Sequence, residues 1–174
     1  LEEKQVYDVF ADRIETVSCV SYDVTTAKVS AERQLRLGAI LLKSGSDDAP
    51  DQDAIAAALL DSVRKHGLTV LPWSENAKAL RERARFAGEI SLSDEALIAD
   101  LDEWIAPIIA GRRRLDAIES SRLTEALQMR LGWDTLQRVE RSAPSHFTTP
   151  AGTQHAIDYS AEAGPTVEAR VQAF

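Results

Sequence analysis

Cysteine is almost missing from this chain. Cys19 is the only one in 174 residues, so no internal disulfide can staple the fold, and a reducing cytoplasm is the expected setting. Long apolar runs are missing too. The longest, Ala54 to Leu60, is far short of the ~20 residues that span a bilayer, so no membrane partner is expected. The opening "LEEKQVYDVF" has neither a basic leader nor an apolar signal stretch, which fits the same expectation. Positive charge is in short supply: the net charge is −8, and no basic half is hidden, with −3 over residues 1–50, −3 over 51–142 and −2 over 143–174. Phosphate contacts dominate nucleic-acid affinity, so any grip on nucleic acid would have to be local.

What is there suits a folded domain. Apolar residues make up 44% and charged residues 28%, which excludes a disordered tail, and the length fits one domain or one domain with a sizeable insertion.

The first fifty residues read as strands. Val17, Cys19 and Ser21 alternate with Ser18, Val20 and Tyr22. After a polar turn, Val29, Ala31, Arg33, Leu35 and Leu37 share one face, the two-residue period of a half-buried antiparallel strand. Gly38 marks a bend or bulge before a third strand that opens on "AILL".

From Asp51 the period becomes helical. Ile55, Leu59 and Val63 form a stripe that Gly67 ends, and "LPWS" starts a second helix. "LSDEAL" starts a third, with Ser93 as cap, Leu92 and Leu97 as staple, and Leu97, Leu101, Trp104, Ile105 and Ile108 facing inward. Pro107 should kink or shorten it. Two further helices are expected, Leu123 to Leu131 and Asp134 to Arg141. Trp73, Trp104 and Trp133 are all expected in the core.

After Pro144 the two-residue period returns in Phe147 and Thr149, in Ile157 and Tyr159, and in Val167, Ala169 and Val171. The expected class is α+β. Residues 1–50 supply N-terminal strands, 51–142 a helical insertion, and 143–174 C-terminal strands that complete one small antiparallel sheet or barrel.

Chemistry-bearing candidates are few. His146 and His155 bracket the "PAGT" turn, but Cys19 and Asp158 are the only obvious further ligands and no metal spacing is recognisable, so no metal is expected. Ser145 and His146 are neighbours in a strand and would point to opposite faces, so no catalytic dyad is expected. "GRRRL" places Arg112, Arg113 and Arg114 at a helix end. There they complement the dipole and can pair with Asp100, Asp102 or Glu103; the alternative is a phosphate contact. "RERARF" reads as the solvated face of a helix. Arg33 falls on the apolar face of its strand, where a charge needs a partner or an opening. With Arg36 it is a candidate contact to single-stranded nucleic acid, and Tyr22, His146, Phe147, His155 and Tyr159 could stack on bases.

Five stretches taken together carry a resemblance: "AERQLRLGAILL", "LPWSENAKALRERARF", "LSDEALIADLDEWIAPIIAG", "LTEALQMRLGWDTLQRVERSAPSHFTTPAGTQHAIDYS" and "PTVEARVQAF". In this order, from about Val17 onward, they resemble the C-terminal part of the bacterial HrpB family of ATP-dependent RNA helicases, relatives of the DEAH-box enzymes. The family's P-T-H-L and P-S-G runs appear here with Ser145, Phe147 and Ala151 as departures, and Tyr22-Asp23 stands where Trp-Asp is expected.

The resemblance implies a parent enzyme with two RecA-like motor domains that use ATP and Mg²⁺, then a winged helix, a helical bundle and an OB-like domain. Neither G-x-x-x-x-G-K-[ST] nor D-E-x-H occurs here, so the chain reads as a piece without the motor, holding no cofactor and no enzyme activity of its own. The strands would then be OB-like. The partners implied are the motor and helical-bundle domains of the same parent chain.

Two roles follow. One is an accessory domain that guides single-stranded RNA or DNA near the motor exit through Arg33, Arg36, Arg112, Arg113, Arg114, His146 and His155. The other is a structural or protein-docking module that braces the motor without touching nucleic acid, and the net charge of −8 favours it.

Overall fold

The fold is described from a computed structural model over residues 10–161 and 163–168. After a single 3-10 turn at Ala11–Arg13, three antiparallel strands follow: β1 (Ile14–Asp23), β2 (Lys28–Leu37) and β3 (Ile40–Ser46), in the order β1-β2-β3. β1 and β2 pair over all ten residues, from Ile14 opposite Leu37 to Asp23 opposite Lys28. Gly38, at φ 58°, makes the tight turn into β3, and a bulge falls between Leu35 and Arg36.

The helical block then runs as α1 (Gln52–His66), α2 (Glu75–Phe86), α3 (Asp94–Ala99), α4 (Leu101–Trp104), α5 (Ala106–Ile109) and α6 (Ser120–Ser142). Its starts follow the local chemistry read from sequence. The Asp51 carboxylate accepts from the amides of Asp53 and Ala54, Ser74 Oγ from Ala77, and Ser93 Oγ from Ala96. The helix expected from "LSDEAL" is divided into α3, α4 and α5, with Pro107 in the first turn of the last. Ile108 is only half-buried, and Ile109 takes the inner position instead. Gly132 (φ 71°, ψ 165°) divides α6 into the two helical segments expected on either side of it.

The core belongs mostly to the helices. Ile55, Leu59, Leu97, Leu101, Ile105, Leu123 and Leu127 are sealed from solvent, and from the sheet only Val29, with half-buried Val20 and Tyr22, joins them. Trp73 and Trp104 stack with ring centroids 6.2 Å apart, as befits core aromatics, and each indole N–H donates to a backbone carbonyl.

The C-terminal strands correct one expectation. β4 (His146–Thr148), β5 (Gln154–Asp158) and β6 (Thr166–Val167) form their own three-stranded sheet, separate from β1–β3, so the two ends of the chain do not build one sheet or barrel among the described residues. The physical reason is anchorage. β1 and β2 are held by α1 and by a backbone bond from Val29 N to the Arg113 carbonyl. The second sheet is held at the end of α6, where the Tyr159 hydroxyl donates to the Pro144 carbonyl at 2.8 Å and the Tyr159 ring packs on Phe86. The strand positions read at Ala169 and Val171 lie outside the described residues.

Candidate nucleic-acid interface

Arg33 has the partner its position demanded. It stands opposite Ser18 on the face of β2 that turns toward α1, and its guanidinium meets Asp47 at 2.9 Å. Asp47 is 4% exposed and also accepts from Ser18 Oγ at 2.7 Å and from the Ala49 amide at 3.2 Å. The Ser18 hydroxyl first, then the Ala49 amide and the Arg33 charge, hold its carboxyl below the usual carboxylate range. Arg36, three residues along the same strand, points to the opposite face and donates to Gln34 Oε1 at 3.0 Å.

The "GRRRL" turn is a stitch between sheet and helices. Its backbone pairs with β2 where β3 no longer reaches, through the Val29–Arg113 bond and a bridge between Lys28 and Arg114. The Arg112 side chain donates to the Ile108 carbonyl (3.0 Å), left open at the end of α5, and to the Ala117 carbonyl (2.8 Å) in the segment before α6. Arg114 grips Asp116 with two bonds, at 2.8 and 2.5 Å, which holds that carboxyl below its ordinary range. Arg113 is exposed and makes no ion pair among the described residues. Of the three acids expected as partners, two are taken elsewhere, Asp100 by Arg130 and Asp102 by Arg64, and Glu103 makes no ion pair with the turn among the described residues.

His146 and His155 do not meet. Across the hairpin His146 faces Ala156 and His155 faces Phe147, which puts the two rings on opposite faces. Each contacts a neighbouring hydroxyl, Ser145 Oγ at 3.0 Å and Thr153 Oγ1 at 3.2 Å. No group of three or more His, Cys, Asp or Glu suited to a metal occurs among the described residues. Of the aromatic candidates, Tyr159 is buried, Tyr22 is half-buried against the core, and Phe147 is 40% exposed. The seven candidates therefore lie on both faces of the first sheet, at its junction with the helices, and on both faces of the second.

Two further readings change. Two arginines of "RERARF" clamp rather than solvate, while Arg85 is exposed: Arg81 lies 5.0 Å over the Trp73 ring and pairs with Asp94, and Arg83 reaches Glu140 and the Ala143 carbonyl. Trp133 is 73% exposed, not core, because the left-handed Gly132 resets the helical phase just before it. The exposed aromatic is legible only once that glycine is recognised as a break.

Comparison with known proteins places this geometry. Residues 104–174 match the family described as ATP-dependent helicase C-terminal, HrpB_C. The ATP-dependent RNA helicase HrpB of Escherichia coli (strain K12) is 31% identical over 160 residues, which is 88% of this chain. The chain matches the C-terminal region of HrpB-type helicases. Two E. coli HrpB crystal structures superpose on it, one described as a DExH-box NTPase (TM-score 0.66, 28% identity, 99% of this chain) and one as a DEAH/RHA helicase (TM-score 0.64, 29% identity, 92% of this chain).

The chain spans about one fifth of the HrpB relative, 20% of its sequence and 22% of each solved chain. The HrpB C-terminal match begins at Trp104, so it takes in α5, the arginine turn, α6 and the second sheet. The "PSHFTTPAGTQHAIDYS" hairpin lies inside it, while β1–β3 fall within the structural match that covers 99% of this chain. No helix among the described residues is long and apolar enough to cross a membrane.

Proposed function

We propose that this region is a non-catalytic accessory module of an HrpB-type ATP-dependent RNA helicase, and that it braces the motor and helical-bundle domains of its parent chain rather than gripping nucleic acid itself. One observation carries the reading. Arg33, Arg36, Arg112 and Arg114, four of the five candidate cations, already donate to groups of this chain. A phosphate at Arg33, Arg36 or Arg114 would have to displace Asp47, Gln34 or Asp116. The net charge of −8 opposes the approach of a polyanion as well. The ATP and Mg²⁺ of such an enzyme belong to motor domains outside this chain, and the setting is the cytoplasm. An OB-like reading attaches to β1–β3, whose two outer strands each keep an edge unpaired by any other strand among the described residues, on which closing strands could pair.

The test is titration of fluorescently labelled single-stranded RNA and DNA with this chain at ~50 mM salt, where a few phosphate contacts still register. The expected result is no saturable binding. Saturable binding that weakens as salt rises, and that is lost on reversing Arg33 and Arg36, would replace bracing with a role in guiding the strand.

A further inference from the structure

A half-open groove of about 810 Å³ runs between the α4–α5 segment and the first half of α6. Trp104, Pro107 and Ile108 line one wall and Met129 the other, and the Met129 side chain is 84% exposed. From Arg122 to Arg130 the α6 wall is about 12 Å long, two helical turns. The groove is polar at its ends. At the end nearest the arginine turn sit Arg112 and Arg122. Arg112 is half-buried and fixed by its two carbonyl bonds, yet has no acid paired with it among the described residues. Arg122 has only a 3.7 Å contact with Glu125. At the other end Arg130 is neutralised by Asp100, and Glu103 faces the opening.

We infer that this groove docks an amphipathic helical segment of a protein partner, with apolar residues three and four apart against Pro107, Ile108 and Met129 and a carboxylate at the Arg112–Arg122 end. The dimensions fit two turns of such a helix, and an exposed methionine is an adaptable wall for it. An immobilised guanidinium without a counter-charge matches a carboxylate, to which it can offer its free Nη2. Glu103 and Glu125 also line the groove and oppose a chain of phosphates along its length, whereas a single carboxylate needs only the Arg112 guanidinium at one end. The proposal goes beyond the bracing role, since it names the partner class of a groove that shares only Arg112 with the nucleic-acid candidates.

The test uses two short fluorescein-labelled helical peptides, each with leucines at i, i+3, i+4 and i+7. One has a pair of glutamates in its first turn and the other a pair of lysines. The acidic peptide is expected to bind at least about tenfold more tightly. Met129→Asp, at an exposed site that leaves the core intact, should abolish binding. Arg112→Gln and Arg122→Gln should each erase the preference for the acidic peptide, and agreement between them guards against a local folding defect in either. No binding, equal binding of both peptides, binding indifferent to Met129→Asp, or displacement by a single-stranded oligonucleotide would each overturn the proposal. Nucleic acid bound elsewhere, with the peptide still in place, would sink the bracing role and leave the groove standing.

Discussion

Arg33 and Asp47 meet at 2.9 Å, and the pair fastens the middle strand of the first sheet to the segment that leaves β3 for the helices. The Asp47 amide donates to the Ala31 carbonyl while its carboxylate collects Ser18, Arg33 and Ala49, so one residue ties all three strands together. Asp47→Asn should therefore lower the melting temperature. It should do so in a pH-dependent way. The folded-state pKa of Asp47 is depressed, so its contribution is fully present above the unfolded value of about 4 and is lost as pH falls through the lower folded value. Melting curves of the two proteins should accordingly be well separated at neutral pH and converge on acidification below about pH 4. A gap that stays constant to low pH would mean that the charge of Asp47 contributes nothing.

Gly132 adopts φ 71° and ψ 165°, a combination open to glycine and hostile to any side chain. Its surroundings are open, with no atom close to where a Cβ would stand, so substitution tests the backbone alone. Gly132→Ala is expected to cost about 1–3 kcal/mol in denaturant unfolding. Unchanged stability would show that the chain can carry a regular helix through this point.

Trp104 and Trp133 make a paired test of the same break. Trp104 is 6% exposed, stacked on Trp73 and hydrogen-bonded, whereas Trp133 is 73% exposed. Trp104→Ala should destabilise by about 3–5 kcal/mol. Trp133→Ala should stay within about 0.5 kcal/mol of the parent. Equal losses at the two positions would return Trp133 to the core.

These contrasts show which features were legible in the residues. Asp51, Ser74 and Ser93 could be read as helix starts because an N-cap needs only its own next three residues. The strand period of Val29 to Leu37 was legible for the same reason, and so was the demand that Arg33 find a partner. Which partner was not legible, because Asp47 arrives only after β3 has folded back. The stitch between Val29 and Arg113 joins distant parts of the chain and leaves no periodic trace, so "GRRRL" reads from sequence only as a helix-end cluster for nearby acids or a phosphate. The single sheet failed likewise. Period shows that strands exist and which faces they bury, but pairing is decided by where each hairpin is anchored.

Arg83 is the anchor that holds the second sheet's end of α6 to α2. Its side chain is 11% exposed, pairs with Glu140, and donates from Nε to the Ala143 carbonyl at 2.6 Å. Ala143 is itself fully buried at the end of α6, so its carbonyl has no water to fall back on. Pro144 follows, and its carbonyl takes the Tyr159 hydroxyl. Arg83 thereby fixes the point from which the β4–β5 hairpin departs. Arg83→Ala should cost about 1.5–3 kcal/mol, the scale for hydrogen bonds to charged groups. Lys78→Ala, on an exposed side chain of the same helix that pairs only with Glu75 three residues before it, serves as the control and should cost far less. Hydrogen exchange separates a local from a global effect. In Arg83→Ala the paired amides of β4 and β5 should exchange faster, while those of β1 and β2 keep the parent's protection relative to global stability. Uniform acceleration across both sheets would show instead that Arg83 supports the helical core as a whole and has no special hold on the hairpin.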